Sequence, residues 1–123
     1  MEVHFVHKSA EGKLAVVGIH IIPGKKGNDA LAPVFAKMPA KADGKSEGVE
    51  VDLAAALPAK GTPYFRYDGS LTTPPCSEGV AWHVLQYAIN GTRKQISAFK
   101  KIYKMNSRPL QNLGKRKVGL SAE

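Results

Sequence analysis

The side chains of this sequence that could bind a metal or take part in catalysis include four histidines, one cysteine and the Thr72-Thr73 pair. Imidazole is the commonest metal ligand in proteins. His4 and His7 lie close together but point to opposite faces of a predicted strand, so they cannot chelate one metal ion. Taken alone, His4 is interpreted as a buried, hydrogen-bonded strand residue. Thr72, which precedes Thr-Pro-Pro, is interpreted as a turn residue.

Two strands that would position these groups are predicted at the start of the chain. The segment Glu2–His7 is rich in β-branched and aromatic residues, which is typical of a strand. Because alternate side chains of a strand share a face, Glu2, His4 and Val6 are expected to point the same way. Leu14–Ile22 is almost continuously apolar, which indicates burial on both faces. We expect the two strands to form a hairpin at the centre of a sheet.

The rest of the chain mixes short helices with extended segments. Asn28 or Asp29 is a suitable helix N-cap, and Thr92 followed by Gln95 fits a capping box. The predicted elements are a helix from residue 28 or 29 to 38, a helical turn over 52–58, an extended segment over 63–67, a strand over 80–85, a helix over 92–104 and a frayed tail over 114–123. The fold class is therefore mainly β with short helices (α+β), in a single domain over residues 1–123.

Composition excludes several classes of function. The 18 lysines and arginines outnumber the 10 acidic residues, giving a net charge of +8, but the positive charges are scattered, so a nucleic-acid partner is not expected. No apolar run approaches the roughly 20 residues that span a bilayer. The first residues do not resemble a secretory signal, which predicts a cytoplasmic chain if Met1 is the true start. The alternative is that Met1 is an internal methionine.

Four segments of the sequence form a distinctive set of motifs. The most specific is Tyr64-Phe65-Arg66-Tyr67-Asp68-Gly69-Ser70-Leu71-Thr72-Thr73-Pro74-Pro75-Cys76, continued by Glu78–Trp82; the others are residues 2–7, 14–18 and 106–111. Together these segments resemble the alpha class of carbonic anhydrases. The resemblance covers nearly the whole chain but roughly half of the family's domain, and identifies the chain as the C-terminal part of a bacterial-type member. It implies part of the alpha carbonic anhydrase fold, a central, mostly antiparallel twisted sheet, with the N-terminal half missing.

The resemblance implies reversible hydration of carbon dioxide to bicarbonate at one zinc ion. Zinc lowers the pKa of its bound water to about 7, so that hydroxide is available near neutral pH. His4 would be one zinc ligand, and Glu2 would accept a hydrogen bond from its other ring nitrogen and fix its tautomer. The Thr72 hydroxyl would accept a hydrogen bond from the zinc-bound hydroxide and orient it for attack.

The resemblance also assigns a substrate pocket and two supporting residues. Tyr67 and Arg108 match positions that support the loop bearing Thr72. Apolar side chains suit carbon dioxide, although these same residues are typical of an ordinary core. The expected pocket residues are Val6, Val16, Leu71, Thr73, Val80 and Trp82.

The sequence departs from the family pattern at several functional positions. The other two zinc histidines of the family lie on a strand of the form His-x-His, and these 123 residues contain no such pair. The expected site therefore has His4 as its one ligand from this chain, and the chain alone is expected to be inactive. Bacterial members bridge the cysteine matching Cys76 to one in the N-terminal half, so Cys76 is expected to be a free thiol here. Family members of this type are periplasmic or secreted.

Two other classes of function compete with carbonic anhydrase ancestry. The first is a catalytically dead interaction module, which pairs its exposed strand edge with a complementing N-terminal chain or with itself. The second, less favoured, is a basic module that binds anions or nucleic acid, for which a steep salt dependence of polynucleotide binding would be diagnostic.

Overall fold

The structure, a computed structural model, describes residues 1–121, which form strands and short helices. The elements are β1 (Glu2–Lys8), β2 (Leu14–Gly24), α1 (Ala32–Ala36), α2 (Leu53–Ala56), β3 (Tyr64–Ser70), β4 (Glu78–Leu85), β5 (Ile89–Thr92), α3 (Arg93–Ile102) and β6 (Gly119–Leu120). This composition confirms the predicted fold class. None of the helices within residues 1–121 is long and apolar enough to cross a membrane.

One compact unit contains residues 2–20, 60–88 and 107–121. Its strands lie in the order β1-β2-β4-β3-β6. The neighbours β1/β2, β3/β4 and β3/β6 are antiparallel, whereas β2 and β4 are parallel. The sheet is thus mixed, with the predicted antiparallel pairing at most of its strand contacts.

The β1–β2 hairpin is confirmed, with a register that runs from Glu2 opposite His20 to Lys8 opposite Leu14. Its expected place at the centre of the sheet is wrong for β1, which is the end strand of the order within residues 1–121. At the turn, the Ser9 N–H donates to the Lys13 carbonyl at 2.9 Å. Opposite residues of an antiparallel pair alternate between bonded and non-bonded pairs, so the odd-numbered residues of β1 bond to β2.

The core of this unit lies on both faces of β2, as the apolar sequence of that strand predicts. Val16 is 1% exposed and Ile19 is 0% exposed, and the two side chains point to opposite faces. Val16 packs with Val80 and Trp82 in one cluster, against which Leu14 and Tyr67 also pack. Strand β2, which carries the predicted pocket residue Val16, is therefore packed on both of its faces.

The second compact unit contains Met1 and residues 21–59 and 89–106. Here the end of β2 pairs in parallel with β5, with Ile21 opposite Ile89. The predicted capping box begins α3: the Thr92 hydroxyl accepts from the Gln95 N–H at 3.1 Å, and the Gln95 side chain accepts from the Thr92 N–H at 2.8 Å. The buried apolar residues of this unit are Ile21, Leu31, Ala56 and Ile96.

Several element boundaries differ from those predicted. The first helix is only Ala32–Ala36, because Asn28 accepts a hydrogen bond from the Leu31 N–H within the preceding turn and proline occupies the first helical turn. Strand β5 was not predicted. Within the expected frayed tail over 114–123, residues 119 and 120 form β6, and residues 122 and 123 lie outside the described part of the chain.

Candidate functional site

One face of the main sheet carries most of the side chains expected to form a site. In the strand register, Val6 lies opposite Val16, Val16 lies beside Trp82, and Trp82 lies opposite Tyr67. Directly opposite residues share a face, and so do alternate residues of one strand. The expected site residues on this face are Glu2, His4, Val6, Val16, Tyr67, Val80 and Trp82.

Glu2 and His4 are in contact, as their alternate positions on β1 predict. The distance from His4 Nε2 to Glu2 Oε1 is 3.4 Å, and 30% and 33% of the respective side-chain surfaces remain accessible. Hydrogen bonding from His4 holds the pKa of the Glu2 carboxyl below its usual value, although partial burial acts in the opposite direction.

The lowered pKa of Glu2 has a defined consequence for pH dependence. Its interaction with His4 stabilises the folded chain at pH values above the ordinary titration range of glutamate. That stabilisation is lost as the pH falls through the lowered pKa. Because about a third of each side chain is accessible, solvent screens the interaction and keeps its contribution small.

Trp82 connects His4 to the buried cluster. Its ring centroid lies 4.9 Å from that of His4 in an edge-to-face arrangement, at an interplanar angle of 82°. On β3, the Tyr67 ring lies 6.1 Å away and nearly parallel to it. The indole Nε1–H donates to the Ser70 carbonyl at 2.9 Å, which satisfies the one polar group of a side chain that is 4% exposed. Trp82 therefore provides a fixed, buried surface on which the His4 ring packs.

The Thr72-Thr73 pair lies in the loop between β3 and β4. Two backbone bonds close this loop: the Leu71 N–H donates to the Ser77 carbonyl at 2.9 Å, and the Cys76 N–H donates to the Thr73 carbonyl at 2.8 Å. The Pro74–Pro75 peptide bond is cis. Both threonines are exposed, whereas Leu71 packs against the buried cluster. The loop is thus anchored to the buried cluster at Leu71, while Thr72 and Thr73 lie at the surface.

Tyr67 and Arg108, the two expected supporting residues, interact electrostatically. Burial raises the pKa of the Tyr67 phenol, and the negative charge of Glu2 adds to this effect. The positive charges of Arg116 and Arg108 lower that pKa but do not reverse the shift. Tyr67 therefore remains protonated at neutral pH and keeps its O–H donor.

Arg116 was not among the residues predicted from the sequence to form or support a site. Its guanidinium donates to the carbonyls of Asp68, Asn112 and Leu113 at 3.1, 2.8 and 3.0 Å. These bonds attach the C-terminal segment to β3, next to Tyr67. In the sequence, Arg116 is one of three consecutive basic residues and cannot be distinguished from its neighbours.

Gly18 is the second residue that sequence reasoning missed. It lies opposite His4, and a β-carbon at this position would be only 2.7 Å from Glu2 Oε1 and 3.5 Å from the Trp82 ring. The missing side chain thus leaves the space that the Glu2 carboxylate occupies beside His4. The sequence contained a signal, since Gly18 ends the Leu-Ala-Val-Val-Gly segment, but only the strand register shows what the glycine accommodates.

Replacing Gly18 with alanine is expected to displace the Glu2 carboxylate from His4. Because hydrogen bonding from His4 lowers the pKa of Glu2, that pKa should rise towards its ordinary value in Gly18→Ala. An NMR titration of the Glu2 side-chain carboxyl measures this change. Gly119→Ala is the matched control, since no atom lies within 4 Å of the β-carbon it would add. An unchanged Glu2 titration in Gly18→Ala would contradict the spacing role.

The other three histidines do not join His4 in a ligand set. His7 Nδ1 lies 3.0 Å from the Phe5 carbonyl, and the His83 ring packs edge-to-face against Tyr64, on the face opposite to Trp82. His20 shares a face with Glu2 and lies opposite it in the strand register. Within residues 1–121, no three His, Cys, Asp or Glu side chains are placed to hold a metal ion.

A catalytic zinc site has three protein ligands and one open position, and within residues 1–121 no such set of three is brought together. His4 has a carboxylate at its Nε2. Carboxylate–histidine pairs of this kind are the usual support of a zinc-bound imidazole. The environment of His4 therefore fits one of the three protein ligands that a catalytic zinc site requires.

Comparisons with known proteins identify the family to which this chain is similar. The sequence matches the model of the eukaryotic-type carbonic anhydrase family over residues 1–122. It is 40% identical over 120 residues to a carbonic anhydrase of Nostoc sp. and 42% identical over 120 residues to one of Klebsiella pneumoniae. Each alignment covers 96% of this chain but only 45% and 48% of those relatives.

Among solved structures, the chain is similar to the alpha-carbonic anhydrase of Thermovibrio ammonificans, which was determined in complex with the inhibitor sulfanilamide. The TM-score is 0.85 at 39% sequence identity, and the match covers 95% of this chain and 52% of that one. The chain thus spans about half the length of the relatives it matches.

Proposed function

Because this chain belongs to the eukaryotic-type carbonic anhydrase family, we propose that it is one part of a zinc-dependent enzyme that reversibly hydrates carbon dioxide to bicarbonate. The observation that carries the proposal is the environment of His4. Its Nε2 contacts a carboxylate at 3.4 Å, and its ring packs on a buried tryptophan at 4.9 Å. Both contacts fix the orientation of the imidazole, as a ligand to a catalytic metal requires.

In this proposal His4 would hold zinc with the ring nitrogen that does not contact Glu2, since Nε2 lies beside the Glu2 carboxylate. When bound, zinc supplies a water whose pKa lies near 7. The Thr72 hydroxyl would accept a hydrogen bond from that water and orient it, and Thr73 would contact the substrate. The apolar wall beside the metal consists of Val6, Val16, Leu71, Val80 and Trp82, of which Val16, Val80 and Trp82 are fixed in the buried cluster.

We further propose that the remaining zinc ligands come from outside this chain, so that the chain alone is inactive. The absence of a three-residue metal cluster within residues 1–121 supports this. The coverage of about half of each relative supports it too. A complementing N-terminal portion, either on a separate chain or on a longer form of this one, would supply the ligands.

The test is zinc content together with carbon dioxide hydration, measured on the same chelator-washed and zinc-repleted sample. The chain alone should retain no tightly bound zinc and show no activity. Mixed with the portion of the Nostoc carbonic anhydrase that it does not match, it should bind zinc and hydrate carbon dioxide. One tightly held zinc and sulfonamide-sensitive activity in the unmixed chain would show that it contains a complete site. Failure of the mixture to bind zinc would contradict the proposed role of His4.

A second candidate function is an interaction module that acts without catalysis. One observation favours it: β1 ends the strand order within residues 1–121, and Val6 on that strand is 59% exposed. Exposed strand edges that carry apolar residues pair readily with other chains. If the mixture forms a stable complex that neither binds zinc nor hydrates carbon dioxide, the interaction module is the better description.

A further inference from the structure

Strand β3 leads directly into the loop that carries Thr72, but its two edges are not paired to the same extent. On one edge β3 pairs with β4 along its length. On the other edge, β6 pairs only with Phe65 and Arg66, and the Ser121 N–H donates to the Tyr64 carbonyl at 2.9 Å. The pairing with β6 therefore ends before the part of β3 that lies nearest to Thr72.

The pairing of β3 with β4 is also irregular next to the loop. Its register shifts between Gly69 and Ser70. A shift of this kind disrupts the ladder of backbone hydrogen bonds and lets the strand bend. The course of the chain from Ser70 into the loop therefore depends on contacts other than the ladder.

Two side chains hold β3 on either side of the register shift. On the loop side of the shift, the Trp82 indole N–H donates to the Ser70 carbonyl at 2.9 Å. On the strand side, Arg116 Nη1 donates to the Asp68 carbonyl at 3.1 Å. The carbonyls of alternate residues point to the same edge of a strand, so that of Asp68 lies on the edge that β6 covers at Tyr64. Arg116 thus continues, with a side chain, the support that β6 gives to this edge.

The guanidinium of Arg116 is itself fixed by the turn that precedes it. Nε donates to the Leu113 carbonyl at 3.0 Å, and Nη2 donates to the Asn112 carbonyl at 2.8 Å. Within this turn Gly114 has a φ of 60°, a conformation that glycine adopts readily. Because the guanidinium is planar and its donors have a fixed geometry, the two bonds within the turn set the direction of the third. Arg116 is therefore a rigid link between the turn and β3.

We propose that Arg116 is a positioning residue, which fixes the end of β3 and thereby the place of Thr72. Asp68 lies four positions before Thr72, and between them the Leu71 N–H is bonded to the Ser77 carbonyl at 2.9 Å. The inference rests on the proposed function, because the place of Thr72 matters for the reaction only if its hydroxyl orients the attacking water. It adds to the site a side chain that touches neither the metal nor the substrate.

The first test is amide hydrogen exchange, measured by NMR on the chain alone with a chelator present. In Arg116→Ala, the Leu71 and Cys76 N–H groups, whose bonds close the loop, should exchange about tenfold faster or more, because a hydrogen bond from a charged donor contributes roughly that factor to an opening equilibrium. The amides of β2, which lies inside the strand order, should exchange at an unchanged rate. Lys117→Ala is the matched control, since it removes the same charge from the same basic run, at an exposed position, and should leave the loop amides unchanged.

The second test uses the chain completed by the unmatched portion of the Nostoc carbonic anhydrase. Arg116→Ala should lower kcat/KM for carbon dioxide hydration about 10–100-fold, since a small displacement of an orienting group has an effect of this size. Its affinity for zinc should equal that of Lys117→Ala, because the substitution moves no proposed zinc ligand.

Three results would each overturn the proposal: loop amides that exchange at an unchanged rate, β2 amides that accelerate as much as the loop amides, or an unchanged kcat/KM. The second of these would mean that Arg116 stabilises the fold in general rather than the loop. If the completed chain without substitutions is inactive, the proposed function fails, and the exchange measurement by itself decides whether Arg116 fixes the loop.

Discussion

Replacement of Trp82 by alanine is expected to lower the free energy of unfolding by about 3–5 kcal/mol, the usual cost of removing a large aromatic side chain from a core. Trp82 is 4% exposed and packs with Val16 and Val80. Its removal leaves a cavity, frees the Tyr67 ring on one side, and takes away the surface on which His4 rests. Urea denaturation followed by circular dichroism measures the change.

Trp82→Phe is the matched variant for this prediction. It keeps an aromatic ring in the cluster but loses the indole N–H that donates to the Ser70 carbonyl. We expect Trp82→Phe to destabilise the fold less than Trp82→Ala does. The free energy of unfolding should fall by the net contribution of one hydrogen bond, about 0.5–1.5 kcal/mol, together with the cost of the space that the smaller ring leaves unfilled. Equal effects of alanine and phenylalanine would argue that the packing of this ring does not carry the stability of the cluster.

The second prediction with a large expected effect concerns the affinity for zinc. In the chain completed by the unmatched portion of a relative, His4→Ala is expected to abolish tight zinc binding, since it removes the side chain proposed as a zinc ligand. Glu2→Ala removes only the hydrogen-bonding partner of that ligand and should weaken zinc binding about 10–100-fold. Competition with a chromogenic chelator measures both affinities.

His7→Ala is the control for the zinc prediction, because His7 lies on the same strand but faces the other side of the sheet. Its zinc affinity should equal that of the unchanged chain. If His4→Ala binds zinc as tightly as His7→Ala does, His4 is not a ligand, and the site assigned by resemblance is wrong.

Much of the local structure could be predicted because its causes are local. The alternation of Glu2, His4 and Val6 and the capping box of Thr92 and Gln95 depend on residues that are close in sequence, and both are present. Strand β5 was missed because its sequence contains Asn90 and Gly91, which are poor strand formers. It exists because it pairs with the end of β2. Tertiary pairing here overrides propensity.

In the candidate site, too, the contacts with local causes were predicted and those that depend on tertiary structure were not. The contact of Glu2 with His4 follows from alternation on one strand and was predicted. The space left by Gly18 and the anchoring of β3 by Arg116 depend on register and on contacts between segments far apart in the sequence. Neither could be found from residue types, since a glycine in a strand and an arginine in a basic run each have many ordinary explanations.

The parallel pairing of β2 with β4 orders the assembly of the main sheet. β1 and β2 are joined by a short turn, whereas Leu14 must meet Val80 across a loop of more than 60 residues. Closing a long loop costs more chain entropy than closing a short one, and contacts distant in sequence slow folding. The hairpin can therefore form while the chain is still being synthesised, and one backbone edge of β2 stays unpaired until β4 has left the ribosome. During that interval the nascent chain, rather than the finished protein, is the form most exposed to aggregation.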